Sequence, residues 1–242
     1  MAPASTSARV AAALVHAFTA TGVVLALLMV HFAYAGEVRT VLWLFLAAMV
    51  VDGSDGFLAR RLRVTEVMPE IDGALLDNIV DYITYAFVPM LLLWANDYLP
   101  AGAAGAVCAS VPALASCYQF TRTDAKTDDH FFLGFPSYWN IVAFYVIVTD
   151  LSTNATVAIL LVCTVLVFVP VKYLYPSRTA TGWTANMTLA MLWLLLYAVL
   201  TWQFPEPSGG LIAASLVYVS YYVAASLWLT VRTRRRQRLS TS

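Results

Sequence analysis

The chain has 242 residues, of which 61% are apolar and 12% are charged, and its formal net charge is zero. Soluble domains are about half apolar and about a quarter charged, so this composition and the mean hydropathy of +0.74 exclude a water-soluble enzyme and a nucleic-acid-binding protein. The length predicts one domain, residues 1–242. Cys108, Cys117 and Cys163 lie in apolar runs, which favours small buried side chains over a disulfide framework or a zinc site.

Long apolar stretches follow one another along the whole chain. A transmembrane helix needs about 20 mostly apolar residues. By that criterion the sequence predicts an all-α, polytopic membrane protein with about eight spans, at residues 10–35, 38–58, 74–95, 101–120, 133–149, 155–175, 183–203 and 210–231. The fifth span is the weakest, because Pro136 and Asn140 interrupt it.

The basic residues are distributed unevenly among the predicted connections. All of them except Arg39 fall in the two termini or in the connections between spans 2 and 3, 4 and 5, and 6 and 7. Cytoplasmic segments of membrane proteins are enriched in lysine and arginine. The pattern therefore predicts that both termini lie on the cytoplasmic side, an N-in/C-in topology.

Four aspartates lie in the predicted second and third spans. Asp52 and Asp55, and likewise Asp77 and Asp81, are three or four residues apart and so share a helical face. Ionisable groups inside spans indicate function, and carboxylates so close together require cations or protons. Oxygen ligands suit magnesium, manganese or calcium. The alternatives are helix caps or interface ion pairs with nearby arginines, and an ion pathway in a cation-coupled transporter.

These aspartates belong to a longer motif. It reads Asp52-Gly-Ser-Asp55-Gly56-Phe-Leu-Ala59-Arg60, twelve residues, then Gly73-Ala-Leu-Leu-Asp77-Asn-Ile-Val-Asp81. The motif resembles the signature D-x2-D-G-x2-A-R, spacer, G-x3-D-x3-D of the CDP-alcohol phosphatidyltransferase family, at all eight fixed positions. The spacer is longer than in most members and resembles that of the bacterial phosphatidylcholine synthase branch. The resemblance covers roughly residues 10–145.

The resemblance implies that an alcohol displaces CMP from CDP-diacylglycerol with the help of divalent metal. It implies that Asp52, Asp55 and Asp77 are metal ligands, and that Asp81 is a ligand or the catalytic general base. Two ions are expected. Manganese is favoured by the branch, and magnesium is the alternative, because oxygen ligands do not separate the two.

Five further residues are expected near the nucleotide and its phosphates. Gly56 and Gly73 allow close approach of backbone or nucleotide, although close helix packing is the alternative for each. Arg60 suits bidentate phosphate binding, with snorkelling to the interface as its alternative. By the resemblance, Thr19 and His16 lie near the nucleotide. The histidine departs from the asparagine of many relatives, and helix packing explains it equally well.

Choline is the acceptor alcohol that the branch resemblance implies. A quaternary ammonium is bound by aromatic faces. The candidates for its pocket are Tyr82, Tyr85, Tyr138, Trp139 and Asn140. Each aromatic residue has an alternative role in packing or in the interfacial aromatic belt, and interhelical hydrogen bonding is the alternative for Asn140.

The sequence thus predicts transfer of the phosphatidyl group to choline, giving phosphatidylcholine and CMP. The alternatives are another acceptor, such as serine, inositol phosphate or glycerol phosphate, and, from a different class, a transporter. The expected location is the bacterial cytoplasmic (inner) membrane, with multiple passes and the active site facing the cytoplasm. The expected partners are membrane lipid, both substrates and a second copy in a homodimer.

Overall fold

The computed structural model describes residues 5–127 and 129–240, without the side chains of 234–240. Helices dominate the fold. They are α1 (Thr6–Tyr34), α2 (Val38–Arg61), α3 (Val64–Val67), α4 (Gly73–Asp81), a π-helical segment (Tyr82–Phe87), α5 (Val88–Ala95), α6 (Gly102–Thr121), α7 (Trp139–Val148), α8 (Thr153–Phe168), α9 (Trp183–Gln203) and α10 (Gly209–Ser240). The strands β1 (Phe131–Leu133) and β2 (Lys172–Leu174) form a small ribbon.

Six helical segments of the described chain are long and apolar enough to cross a membrane. They are Thr6–Tyr34, Val38–Arg61, Gly73–Ala95, Gly102–Thr121, Trp183–Gln203 and Gly209–Thr233. Two shorter apolar helices, Trp139–Val148 and Thr153–Phe168, correspond to the predicted fifth and sixth spans. The prediction of an α-helical, polytopic membrane protein is confirmed, whereas the count of eight spans and the N-in/C-in orientation stay predictions.

The predicted bounds of the fifth and sixth spans were wrong. Residues 133–138 and 169–175 do not form helix. Pro136 and Pro170 fall there, and proline disfavours helical backbone in the residue before it. The chain instead forms an antiparallel ribbon in which Phe132 pairs with Tyr173. This ribbon brings the α6–α7 and α8–α9 connections together beside the aspartates.

The third span changes its helical type directly after Asp81. Asp72 caps α4 by accepting hydrogen bonds from the backbone N–H groups of Ala74 and Leu75, each 3.0 Å long. The segment that follows α4 is π-helical, and Pro89 begins the return to α-helix. Because proline has no N–H group, it cannot donate an α-helical hydrogen bond to the carbonyl four residues earlier. The missing hydrogen bond explains why the helix widens to the π form before Pro89. π-helical segments are frequent at functional sites.

The hydrophobic core lies among α1, α2, α5, α7 and α9. Phe144 stacks on Tyr197 with ring centroids 3.8 Å apart, and the Tyr197 hydroxyl donates a 3.0 Å hydrogen bond to the carbonyl of Leu42. The core therefore holds α2 against α7 and α9 and fixes the helix that carries Asp52 and Asp55.

Helices α1 and α4 pack closely at a glycine. A Cβ added to Gly22 would lie 2.3 Å from Cγ1 of Val80, so only glycine allows this approach. Val80 precedes Asp81 in the chain. The contact therefore sets the distance between α1 and the helix that supplies two of the four aspartates.

Candidate active site

The carboxylates of Asp52, Asp55 and Asp77 converge between α2 and α4. Their nearest oxygen atoms all lie within 4.8 Å of one another. Asp55 is buried and the other two are half-buried. Asp81 lines the same small cavity. The two helical faces predicted from the spacing do meet, and all four aspartates lie together.

Each of the three clustered carboxylates also contacts a polar group from another part of the chain. Thr19 on α1 donates a 2.7 Å hydrogen bond to Oδ2 of Asp55. The Tyr85 hydroxyl donates one of 2.8 Å to Oδ2 of Asp52. Lys126, in the α6–α7 connection, places Nζ 3.4 Å from Oδ2 of Asp77. These contacts orient the carboxylates and partly offset their mutual repulsion.

The donor set fits a hard divalent cation. It consists of carboxylate oxygens alone, which magnesium, manganese and calcium prefer over sulfur and imidazole ligands. Three negative charges within 4.8 Å repel one another unless a cation lies among them. The residues present therefore fit the metal that the sequence motif implies.

A cleft of about 100 Å³ opens beside the aspartates. Gly56 and Arg60 line it together with Asp52, Asp77 and Asp81. A Cβ added to Gly56 would lie 3.1 Å from Nη1 of Arg60, so the glycine leaves room for the guanidinium. The sequence expectation placed both residues near phosphate, and both lie at the cleft that the aspartates share.

His16 and Gly73, by contrast, pack against each other. A Cβ added to Gly73 would lie 3.0 Å from Cε1 of His16. The His16 side chain is buried, and its Nε2 has no hydrogen-bond partner within residues 5–127 and 129–240. The two residues pack against each other, and their expected position near the nucleotide stays a prediction. Thr19, in contrast, contacts a carboxylate directly.

The five candidates for the choline pocket separate into two groups. Tyr85 and Tyr138 line the cleft beside the aspartates. Tyr82 packs edge-on against Phe120 with centroids 6.1 Å apart. Trp139 is fully buried and donates a 2.6 Å hydrogen bond to Ser116. Asn140 is buried on the same helix, next to Trp139.

Sequence reasoning assigned no site role to several residues that line the cleft. They are Lys126, Phe132, Pro136, Tyr175 and Ser177. Phe132 and Tyr175 stack with centroids 4.5 Å apart. They come from the two arms of the ribbon, which are distant in sequence, so no local spacing could have joined them to the aspartates. For Lys126 the one available signal was a lone lysine in a connection predicted to be cytoplasmic.

The loop that carries Lys126 is held by ion pairs. Lys172 on β2 contacts Asp129 at 2.6 Å, and Arg122 contacts Asp124 at 2.7 Å. Burial alone would raise the pKa of Asp129, but hydrogen bonds from Lys172 and Thr127 hold it below its usual value. Asp129 is therefore charged at neutral pH and holds the loop against the ribbon.

Curated bacterial proteins match this chain over most of its length. It is 35% identical over 225 residues to the phosphatidylcholine synthase of Borreliella burgdorferi, covering 92% of this chain and 96% of that protein. It is 39% identical over 228 residues to that of Legionella pneumophila, covering 91% and 89%. It is 35% identical over 223 residues to that of Pseudomonas aeruginosa, covering 90% and 91%. A scan against protein-family models gave no match. On these similarities, the chain belongs to the phosphatidylcholine synthase family.

Proposed function

We propose that this protein is a phosphatidylcholine synthase that transfers the phosphatidyl group of CDP-diacylglycerol to choline, releasing CMP. One observation carries the proposal. The carboxylates of Asp52, Asp55 and Asp77 converge within 4.8 Å between two apolar helices, in a chain whose full-length relatives bear that enzyme's name. This membership also favours an enzyme over the cation-coupled transporter.

Asp52, Asp55 and Asp77 are the proposed metal ligands, with Asp81 as a further ligand or the catalytic base. Bound divalent ions would neutralise the diphosphate and stabilise charge on the departing CMP. We favour two manganese ions, with magnesium as the alternative. Thr19 and Tyr85 hold the Asp55 and Asp52 carboxylates through their hydrogen bonds, so less reorganisation is needed when a metal binds.

Asp81 is the proposed acceptor of the choline proton. It lines both the small cavity among the aspartates and the wider cleft. A general base must come within hydrogen-bond reach of the hydroxyl, directly or through one water. Its position in the lining of both spaces supports a role between the proposed metal site and an entering alcohol.

Arg60 and Lys126 are the proposed cations for the diphosphate. Both line the cleft beside Gly56. The contact of Lys126 with Asp77 brings its ammonium to the aspartates, beside which we place the phosphates. His16 and Gly73 remain proposed neighbours of the nucleotide, acting through the shape that their packing gives to the α1–α4 contact.

The acceptor alcohol is proposed to be unphosphorylated. Arg60 and Lys126 are the cations that line the cleft among the residues the structure describes, and both are assigned above to the diphosphate. Inositol phosphate and glycerol phosphate would need further basic groups. Choline and serine have no phosphate and fit this charge balance better.

The proposed setting is the bacterial inner membrane, with the active site and both termini on the cytoplasmic side and the protein working as a homodimer. The distribution of basic residues supports this orientation. Residues 1–242 are proposed to act as a single domain. Asp52 and Asp55 lie in the second half of α2, and Asp77 and Asp81 lie in the first half of the continuous helix Gly73–Ala95. Both pairs are therefore in the helix halves nearer to the spacer of residues 61–72, which carries Arg61 and Arg63.

The test is a CMP-release assay with purified protein, CDP-diacylglycerol and Mn²⁺. Choline, serine, inositol phosphate and glycerol 3-phosphate are offered separately. We expect release with choline alone, and its loss in Asp81→Asn, while Asp97→Asn in the α5–α6 connection keeps it. CMP release with another alcohol instead of choline would show that choline is not the acceptor. No CMP release from metal-loaded protein with any alcohol would contradict the enzyme assignment.

A further inference from the structure

A second, larger cavity adjoins the cleft. It measures about 500 Å³ and lies among α2, α7, α8, α9 and α10. Its aromatic lining includes Tyr85, Tyr138, Tyr145, Trp193, Tyr218 and Tyr222. Asp52 is the one charged residue in that lining, within the part of the chain that the structure describes. This cavity, called the chamber below, is therefore rich in aromatic residues, and none of the described residues that line it is a lysine or an arginine.

Tyr85 and Tyr138 form the boundary between the cleft and the chamber, since both line the two spaces. Tyr138 lies 6.1 Å from Tyr85 and 6.5 Å from Tyr222, centroid to centroid, with tilted rings. Tyr222 also stacks on Tyr173, with ring centroids 6.2 Å apart, so one of its two faces is occupied. Tyr222 lines the chamber next to this boundary, so three tyrosine rings border the same region of the chamber.

Hydrogen bonds at the ring edges fix two of these rings. The Tyr85 hydroxyl donates to Asp52, and the Tyr222 hydroxyl donates to the carbonyl of Leu174 at 2.9 Å. Their polar ends are therefore tied to the helix α2 and to the ribbon. The ring bodies line the chamber in a fixed arrangement, which reduces the entropy lost when a ligand binds.

We infer that Tyr85, Tyr138 and Tyr222 form the binding site for the trimethylammonium group of the acceptor, on the chamber side of the aspartates. The inference rests on the proposed choline transferase function. A quaternary ammonium donates no N–H hydrogen bond and is recognised by aromatic faces. A cavity wall with ring faces and no cation has that chemistry. Tyr222, on α10, is assigned to the site by the structure alone.

The dimensions of choline agree with this position. Two carbon atoms separate its hydroxyl oxygen from its nitrogen, so the ammonium must lie directly beside the reacting oxygen. Asp81 lines the cleft, and Tyr85 follows it by one helical turn on the same continuous helix. A hydroxyl at Asp81 therefore places the ammonium at the boundary rings rather than deep in the chamber.

The competing occupant is an acyl chain of the lipid substrate, because most of the chamber wall is apolar. The two occupants predict different kinetic changes. Loss of a ring face should raise the KM for choline if the ammonium binds there. It should instead raise the KM for CDP-diacylglycerol if an acyl chain does.

The experiment compares Tyr222→Leu, Tyr222→Phe and the control Tyr34→Leu, an exposed tyrosine at the end of α1. CMP release is measured in Mn²⁺ against choline and against 3,3-dimethyl-1-butanol, its uncharged isostere. We expect Tyr222→Leu to raise the KM for choline about tenfold, the loss of one cation–π contact, with little change for the isostere or for CDP-diacylglycerol. Tyr222→Phe keeps the ring and should stay within about threefold of the parent.

Three results would overturn the inference: an unchanged choline KM in Tyr222→Leu, an equal rise for choline and the isostere, or a rise confined to CDP-diacylglycerol. In each case the parent protein still releases CMP with choline, so the proposed function survives. Failure of the parent to use choline would instead reject the proposed function. Retained turnover at saturating substrate shows that the variants are folded.

Discussion

Thr19 and Asp55 join the first two helices at the centre of the site. The Thr19 hydroxyl donates a 2.7 Å hydrogen bond to Oδ2 of Asp55 and is itself buried. Asp55 is the most buried of the three clustered carboxylates. Thr19 therefore holds one carboxylate oxygen of a residue that we propose as a metal ligand.

Removing this hydrogen bond should weaken metal binding. Thr19→Val keeps the shape of the side chain but has no donor for Asp55. Loss of such a partner of a metal ligand costs about 10–100-fold in metal affinity or activity. We expect the Mn²⁺ concentration for half-maximal CMP release to rise about tenfold, whereas Thr19→Ser retains the parent value. An unchanged Mn²⁺ requirement in Thr19→Val would show that the hydrogen bond does not orient Asp55.

Neutralising one clustered aspartate should stabilise the protein without metal while removing its activity. Asp52→Asn relieves repulsion from Asp55 and Asp77, and its amide oxygen can still accept the bond from Tyr85. We expect the thermal midpoint in EDTA to rise by about 2–4 °C, which is about 1 kcal/mol at this length. Mn²⁺ should then stabilise the parent protein and not the variant.

The control for this experiment is Asp97→Asn, which removes one negative charge at an exposed position in the α5–α6 connection. Its midpoint should follow that of the parent both in EDTA and in Mn²⁺. A midpoint in EDTA that falls in Asp52→Asn would contradict the idea that the three carboxylates repel one another. Equal stabilisation of Asp52→Asn by Mn²⁺ would remove Asp52 from the ligand set.

Lys126 should matter for substrate binding more than for stability. Its contact with Asp77 joins two partly exposed side chains, and such ion pairs contribute about 0–1 kcal/mol. A cation at the diphosphate contributes more, because hydrogen bonds to charged groups are stronger. In Lys126→Met we expect the KM for CDP-diacylglycerol to rise about tenfold, with partial recovery in Lys126→Arg and no change in Arg61→Met. Equal kinetics in Lys126→Met and the parent would place the diphosphate elsewhere.

The aspartate cluster could be predicted from the sequence because its geometry is local. Spacings of three and four residues determine which helical face Asp52, Asp55, Asp77 and Asp81 occupy, and a short connection makes their helices neighbours. Four carboxylates so close together in apolar helices then require cations or protons. The structure brings these residues together as the motif implied.

The remainder of the cleft depends on contacts between distant segments. The ribbon pairs Phe132 with Tyr173 across 41 positions of the chain, and short strands inside apolar runs resemble the ends of spans. Tyr222 lies opposite Tyr138 only because α10 packs beside β2, where the Ser226 hydroxyl accepts a 3.1 Å hydrogen bond from the backbone N–H of Leu174. No periodic pattern in a single helix indicates such contacts.

The approach of α1 to α4 offers a test of how packing positions the site. A Cβ at Gly22 would clash with Val80, and overpacking costs about 1–3 kcal/mol. Gly22→Ala should lower the thermal midpoint and also weaken Mn²⁺ activation, because it separates Thr19 on α1 from the aspartates. Val80→Ala makes room for the added methyl group, so the double variant should recover part of both losses, as contacting residues do not add independently. Additive effects on midpoint and Mn²⁺ activation would show that the two helices do not constrain each other at this contact.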